Sequence, residues 1–218
     1  MRQPLRPFAR SSIRLRSELV EESSLGIGET KLGGSPDLPP SFEWPSYGDL
    51  PQSLIAQIDL AEVHPYDVEG LLPESGLLSF FYDSAQSVWG FDPAEDGAWT
   101  VHYTAAAEPL TRRDPPSDLP EEGRFRAMRL RADVERTFAP WEFSEVAALN
   151  LSRDQLFAYG ELIEASDEPI HRLLGHPDPI QGDMQLECQL VSHGLYCGDS
   201  TGYRLQRPTG GPTCARSG

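Results

Sequence analysis

The chain has 218 residues, of which 39% are hydrophobic and 9% aromatic, so it can bury a substantial core and is not globally disordered. Its formal net charge of -16 opposes nonspecific binding to nucleic acid and to anionic membranes, because both would repel the protein as a whole. Three cysteines without a CxxC pair indicate reduced thiols rather than a disulfide framework. We therefore predict an acidic cytoplasmic protein that has neither nucleic acid nor a membrane as its partner.

Five segments have the composition and periodicity of β-strands. Residues 13–20 alternate in polarity, residues 54–60 and 76–83 are apolar runs bounded by turn formers, and residues 98–104 have a similar composition. In residues 127–137 every second side chain is apolar and the others are mostly charged, so this strand should have one buried face and one wet face. The predicted buried face consists of Met128, Leu130, Ala132 and Val134.

Positive charge is absent from a long segment that includes three of these strands. Between Leu32 and Thr111 there are thirteen Asp and Glu residues and no Lys or Arg. Such a segment forms either a face that binds a cation or a cationic partner, or a solvated acidic surface that arginines elsewhere in the fold balance. The second interpretation is the default, with the arginines between residues 112 and 131 supplying the balance.

Helices are predicted in the C-terminal half. Ser152 and Gln155 form a capping-box pattern in front of Leu156, and a second short helix would begin at Asp183 and end at Gly194. The sequence therefore predicts an α+β fold, with a mixed, largely antiparallel sheet and a few short helices. No repeat is evident, and only the loop 114–123 is rich enough in Pro and charge for a spacer, so we predict one domain.

The sequence KLGGSPDLP at residues 31–39, here called the glycine signature, contains more Gly and Pro than a simple turn needs. Backbone N–H groups at Gly33 and Gly34, together with the charge of Lys31, could bind a phosphate. The spacing is not that of a P-loop, and Pro36 prevents direct entry into a helix. The alternative is a tight turn in which Gly33 or Gly34 has a positive φ.

Residues that follow the glycine signature could complete a binding site with Lys31. Trp44 lies in a loop over residues 36–51 that five prolines stiffen, which suggests an ordered recognition loop. Gln57 and Asp59 occupy alternate positions of an apolar strand, so their side chains should share one face. They either line a polar pocket with Lys31 or are hydrogen-bonded polar groups of the core.

A second motif, GHPDPIQGD at residues 175–183, is here called the histidine signature. Its side chains with binding potential are His176, Asp178, Gln181 and Asp183. For a metal, the residues that supply ligand atoms are His171, His176, Asp178, Asp183 and His193, although no standard ligand spacing is present; the alternative is that His176 orders the turn by hydrogen bonding. Cys188 and His193 form a formal nucleophile and base pair, but Cys188 falls on the apolar side of its helix, where an inert core residue is the default.

The order of the two signatures and the strands between them resembles the YwqG-like family of bacterial domains of unknown function. The shared motifs are the glycine signature, Trp44-Pro45, residues 54–60, Leu72-Pro73, residues 76–81 and the histidine signature. The resemblance covers residues 12–206 and implies an α+β fold without an established activity. It also implies a second strand unit after Gly202-Tyr203, whereas residues 207–218 show no strand or helix pattern. We therefore expect an incomplete single domain over 12–206, lacking its C-terminal strand unit, and a disordered, possibly out-of-frame tail over 207–218.

Two functional classes remain open at this point. The first, which we favour, is a noncatalytic binding domain without a cofactor, whose partner is an unidentified protein or small ligand. The second is a hydrolase that uses a metal or a His-carboxylate pair from His171, His176, Asp178 and Asp183. For the binding domain, the candidate ligand-binding residues are Lys31, Gly33, Gly34, Trp44, Gln57, Asp59, His176, Asp178, Gln181 and Asp183.

Overall fold

The computed structural model describes residues 8–90, 92–141, 143–163, 170–179 and 184–194. The strands in these residues are β1 (Ala9–Leu19), β2 (Lys31–Leu32), β3 (Asp37–Leu38), β4 (Ser46–Tyr47), β5 (Leu50–Pro51), β6 (Ser53–Asp59), β7 (Leu77–Tyr82), β8 (Trp99–Thr104), β9 (Thr111–Arg112), β10 (Met128–Phe138) and β11 (His171–Leu173). The helices are α1 (Leu60–Val63), α2 (Ser144–Ala147), α3 (Arg153–Ile163) and α4 (Met184–Ser192). Within the described residues, no helix combines the length and the hydrophobicity needed to cross a bilayer.

The centre of the fold is a seven-stranded sheet in the order β11-β1-β10-β2-β6-β7-β8. Every pairing in it is antiparallel, and β1 and β10 pair along their whole length, from Ala9 opposite Phe138 to Leu19 opposite Met128. All five predicted strands are present, and β1 begins four residues earlier than predicted, at Ala9. A largely antiparallel sheet with a few short helices is consistent with the predicted α+β class. One of the helices, α1, lies in the N-terminal half, because a single turn is too short to show helical periodicity in the sequence.

One face of the sheet carries the largest core cluster. Its buried residues are Ile13, Leu15, Ala56, Ile58, Leu60, Val63 and Leu130. Burying each of the larger side chains contributes about 1.5–3 kcal/mol. α1 follows β6 directly, with the Asp59 carboxylate accepting a hydrogen bond from the Ala61 N–H at 2.9 Å. This helix places two of the buried residues over the sheet.

The predicted faces of β10 are only partly correct. Leu130 is buried as expected, but Val134 is exposed. β2 pairs with Met128 and Arg129, and the Leu130 N–H donates to the Thr30 carbonyl at 3.1 Å; beyond Leu130, no strand of the described residues pairs with that side of β10. Arg129, predicted to face water, instead donates to the Ser24 carbonyl at 3.2 Å and forms an ion pair with Glu29.

The opposite face of the sheet holds the proline-rich loop. Leu38, Leu54 and Phe81 are buried there. The Phe42 ring stacks on Phe81 with centroids 5.7 Å apart, and the Trp44 ring meets Phe81 edge-on at 5.5 Å. Aromatic pairs in these arrangements add about 0.5–1.5 kcal/mol to the burial of their surface. The predicted ordering of this loop is confirmed, and the ordering rests on aromatic packing as well as on proline.

The C-terminal helices match the prediction in their ends more than in their faces. The capping box before α3 is present, with the Ser152 N–H donating to Gln155 Oε1 at 2.9 Å and the Gln155 N–H donating to Ser152 Oγ at 3.3 Å. Leu156 is exposed, whereas Tyr159 is buried and donates to the Ala139 carbonyl at 2.6 Å. The capping interaction is local, but the buried face depends on which element packs against the helix.

Two further expectations concern the C-terminal part of the chain. Gly194 follows α4 with a φ of 76°, as a stop glycine should. Cys188 is exposed, so the prediction of a buried cysteine on this helix is wrong. Asp183, Gln181 and the predicted tail over 207–218 lie outside the described residues.

Candidate functional site

The glycine signature forms the predicted tight turn between β2 and β3. Gly33 and Gly34 have φ values of 54° and 70°, which confirms the expectation of positive φ. A Cβ atom on Gly33 would lie 2.6 Å from the Arg126 carbonyl oxygen, so the turn needs glycine for its closeness as well as for its conformation. The Gly33 N–H donates to the Ile55 carbonyl and the Gly34 N–H to the Phe125 carbonyl, both at 2.9 Å. Because these donors are already used within the protein, they do not form a phosphate cradle.

The buried Lys31 side chain stabilises the end of the turn at Ser35. Its side chain is fully buried, and Nζ donates to the Ser35 carbonyl at 2.6 Å. Nζ also lies 3.7 Å from Glu22 Oε1 and 3.7 Å from Asp37 Oδ2. Burial lowers the pKa of Lys31, and the charge of Asp37 opposes that change. The ammonium group therefore acts as an internal tie for the loop.

Asp37 is the centre of the buried polar network. Its Oδ2 accepts hydrogen bonds from Gln57 Nε2 at 2.8 Å and from the Gly28 N–H at 3.0 Å, and Arg112 Nε donates to Oδ1 at 3.0 Å. Burial alone would raise the pKa of Asp37, but the hydrogen bonds from Arg112, Gln57 and Gly28, together with the Lys31 charge, lower it. Asp37 is therefore held as a carboxylate.

Gln57 joins the network, whereas Asp59 does not. Gln57 Oε1 accepts from the Asp37 N–H at 2.9 Å, and its Nε2 also donates to the Glu29 carbonyl at 2.9 Å. Both residues lie on β6 as predicted, but the Asp59 side chain caps α1. Of the two interpretations offered for Gln57, the structure shows the satisfied core group.

A cleft of about 210 Å³ opens beside the turn. Its walls include Trp44, Leu54, Leu119 and Phe125, with Glu22, Ser35 and Arg124 as polar neighbours. A hydrogen bond fixes the position of the Trp44 ring, since its Nε1 donates to the Gln52 carbonyl at 2.9 Å. Gly34 also lines the cleft, so two predicted site residues, Gly34 and Trp44, reach it.

The far wall of the cleft is the loop over residues 114–123, the one segment rich enough in Pro and charge for a spacer, together with Arg124 and Phe125. This loop is packed against the fold, because Leu119 is buried and a Cβ atom on Gly123 would lie 2.6 Å from Ser53 Oγ. Arg124 stiffens it by donating to the Leu119 carbonyl at 3.1 Å and to the Pro116 carbonyl at 2.8 Å. This loop is therefore a packed wall of the cleft and not a spacer, which agrees with the prediction of no interdomain linker here.

The histidine signature packs against the sheet at Thr137 of β10. Gly175 has a φ of 76°, and a Cβ atom there would lie 2.5 Å from Thr137 Oγ1. The His176 N–H donates to the same Thr137 Oγ1 at 2.8 Å, and the buried His176 ring meets Phe143 edge-on at 6.4 Å. This fits the interpretation in which His176 orders the turn.

The remaining residues proposed for a metal do not converge in the part of the chain that the structure describes. Asp178 is exposed and forms an ion pair with Arg172, which also binds Glu135 at 2.9 Å. His171 is half-buried in β11, and burial, followed by the charge of Arg14, lowers its pKa. Among the described residues there is no group of three His, Cys, Asp or Glu side chains that could hold a metal ion.

The two signatures lie at opposite ends of β10. The glycine signature adjoins Met128 through β2, and the histidine signature contacts Thr137. At about 3.3 Å per residue, these two β10 positions are about 30 Å apart. The two signatures therefore do not lie beside each other, and of the two the glycine signature is the one that adjoins the cleft.

Several residues of this site could not be recognised in the sequence. Glu22 lies in a loop before β2, where its carboxylate accepts from the Ser35 N–H. Leu119, Arg124 and Phe125 are about 100 residues further along the chain than Glu22 and carry no motif. The one usable signal was Leu119, an apolar residue within an otherwise polar, proline-rich stretch.

Comparison with known proteins gives a family but no activity. No curated protein shows a significant match to the chain. Residues 30–202 match a family described as a domain of unknown function, DUF1963, and this range contains both signatures and every residue that lines the cleft except Glu22. The chain therefore belongs to the DUF1963 family.

Proposed function

We propose that this protein is a noncatalytic binding domain whose cleft beside the glycine signature accepts a small apolar group. The group is an aromatic ring or a branched aliphatic chain, presented by a small molecule or by the side chain of another protein. The same proposal takes the protein as a cytoplasmic, YwqG-like bacterial domain, on the motifs described above. The observation that carries the proposal is a preformed apolar cleft next to a rigid polar network.

The size and lining of the cleft support this class of ligand. A volume of about 210 Å³ has room for one ring or one branched side chain. Trp44, Leu54 and Leu119 offer apolar contact, and binding pockets usually combine such walls with a few polar groups. Arg124 and Ser35 would give a bound ligand its orientation.

Rigidity is the second support. The Lys31 ammonium and the Glu22 carboxylate hold the turn from two sides, through the Ser35 carbonyl and the Ser35 N–H. A cleft whose walls are already ordered loses little conformational entropy when a ligand binds. The conformational entropy of these walls is instead lost during folding, when the buried network around Asp37 forms.

The polar lining favours binding over catalysis. Glu22, the carboxylate of the cleft, is engaged by the Ser35 N–H and lies 3.7 Å from Lys31 Nζ. Arg124 is engaged by the backbone carbonyls of its own loop. Groups that hold the walls in this way orient a ligand without exchanging protons with it.

The proposal can be tested with 5-fluoroindole as a probe, by following its ¹⁹F line width as protein is added. We expect saturable binding to the unaltered protein, at least fivefold weaker binding to Phe125→Ala, and none to Leu119→Trp, which fills the cleft. The controls are Leu71→Ala and Leu71→Trp at an exposed position outside the cleft lining, and both should bind like the unaltered protein.

Three results would overturn the proposal: no binding to the unaltered protein, equal binding to Phe125→Ala and the controls, or undiminished binding to Leu119→Trp. Urea unfolding of each variant identifies any that has lost its fold. Phe125 is more exposed than Leu119, so Phe125→Ala keeps the test valid if Leu119→Trp does not fold. If the natural ligand is a side chain of another protein, this protein should capture that partner from lysate, and 5-fluoroindole should displace the captured partner.

A further inference from the structure

The strand β8 forms one edge of the central sheet and exposes a row of large side chains. It pairs with β7 on one side only, from Leu77 opposite Thr104 to Tyr82 opposite Trp99. Trp99, Val101 and Tyr103 lie on one face and are 42%, 57% and 47% exposed. The alternate residue His102 points to the other face, where its ring lies 4.5 Å from that of Phe42.

This edge lacks the usual protection against pairing with another chain. Natural edge strands are protected by Lys, Pro or a bulge, or are covered by another element. The sequence of β8, WTVHYT, contains neither Lys nor Pro, and its pairing with β7 is regular. Among the described residues, no strand pairs with its outer edge. The strand is therefore a template for one more strand.

The electrostatic surroundings of β8 indicate the charge of that strand. A cavity of about 640 Å³ lies between its first residue, Trp99, and the C-terminal part of α4, and the charged side chains that line the cavity are Asp92 and Asp96. Neither Lys nor Arg occurs anywhere between Leu32 and Thr111. A cation placed there would gain from both carboxylates and from the face of the Trp99 ring.

A second copy of this chain is disfavoured as the occupant. Pairing two β8 edges would bring together two proteins that each carry a formal charge of -16, and would place their acidic segments side by side. The acidic segment was interpreted above either as a face that binds a cationic partner or as a solvated surface. A basic partner at β8 would correspond to the first interpretation.

We propose that β8 binds an extended segment of another protein that carries Lys or Arg, by adding it to the sheet as an eighth strand. Main-chain hydrogen bonds along the outer edge of β8 would supply affinity, as in other cases of strand addition. Side chains at alternate positions of the segment would contact Trp99, Val101 and Tyr103. A basic side chain at one end would lie beside Trp99, between Asp92 and Asp96.

The test uses two fluorescein-labelled peptides of identical pattern, (Arg-Val)4 and (Glu-Val)4, and fluorescence anisotropy at physiological salt. We expect (Arg-Val)4 to bind and (Glu-Val)4 not to bind. Val101→Lys adds a positive charge on β8 and should weaken binding of (Arg-Val)4 at least tenfold. Val68→Lys adds the same charge at an exposed position outside the sheet and should change binding less than twofold.

Two further measurements separate strand addition from general attraction to an acidic protein. Asp96→Asn should weaken (Arg-Val)4 binding about threefold or more, and the peptide should increase the hydrogen-exchange protection of β8 amides. The proposal fails if Val101→Lys binds (Arg-Val)4 as tightly as Val68→Lys does, or if the unaltered protein binds both peptides equally. It also fails if (Arg-Val)4 does not increase the hydrogen-exchange protection of the β8 amides. It also fails if sedimentation shows that the unaltered protein dimerises through an edge that Val101→Lys disrupts.

Discussion

Arg112 binds both carboxylate oxygens of Asp37, a residue 75 positions earlier in the chain, with Nε 3.0 Å from Oδ1 and Nη2 3.2 Å from Oδ2. The same guanidinium donates to the carbonyls of Leu25 at 3.1 Å and Gly26 at 2.8 Å. One side chain of β9 thus joins β3 to the loop that precedes β2. Since Asp37 also contacts Gln57 and lies near Lys31, this pair holds the network that supports the cleft.

Removal of Asp37 should therefore be costly. Asp37→Ala would leave Arg112 and Lys31 partly or fully buried without their carboxylate, which typically lowers the free energy of unfolding by about 3–5 kcal/mol. Urea denaturation measures the loss. The matched control is Glu121→Ala, whose exposed carboxylate lies 3.9 Å from Arg124 and whose removal should leave the midpoint unchanged. Similar midpoints for the two variants would show that the network contributes little.

The same carboxylate should give the protein a recognisable acid sensitivity. Because the folded-state pKa of Asp37 is lowered, its stabilisation is present above the unfolded-state pKa of about 3.9 and is lost as the pH falls through the lower folded-state value. The unaltered protein should thus lose stability more steeply than Asp37→Asn between about pH 5 and pH 2. Urea titrations across that range provide the comparison, and parallel curves would contradict the assignment.

The glycine signature permits a test of packing at constant backbone strain. Gly33 and Gly48 have φ values of 54° and 58°, but a Cβ atom would meet the Arg126 carbonyl oxygen at 2.6 Å in the first case and nothing within 4 Å in the second. Gly48→Ala should cost about 1–2 kcal/mol from the left-handed conformation alone. Gly33→Ala should cost about 1–3 kcal/mol more, since the backbone must move. Equal melting temperatures for the two variants would mean that the turn adapts freely.

The inner face of β10 can be tested at adjacent positions. Leu130→Asp places an unpaired charge in the main core cluster and should unfold or aggregate the protein. Arg131→Gln changes an exposed side chain whose partner Glu18 is also exposed, and should leave thermal unfolding unchanged. Circular dichroism melts decide between these outcomes, and comparable melts would place Leu130 outside the core.

The features that the sequence predicted best are local ones. Gly33 and Gly34 adopt positive φ because only glycine does so without strain, and Ser152 caps α3 because its partner is three residues away. Leu130 could be assigned to the core from alternation alone, since the period of a strand is a property of its own backbone. Val134 obeys the same alternation and is exposed, because strand period does not say where the neighbouring strand ends.

The acidic composition, the strand segments, the glycine turns and the helix cap were thus determined by the sequence itself, because each depends on residues within a few positions of one another. Tertiary structure decided that Lys31 meets Asp37 and Glu22, that Asp37 meets Arg112, that the proline-rich loop around Leu119 becomes a wall of the cleft, and that the two signatures lie at opposite ends of β10. It also left β8 at the edge of the sheet. These relationships depend on strand order and register, which arise from the packing of the whole chain and which no local pattern of residues encodes.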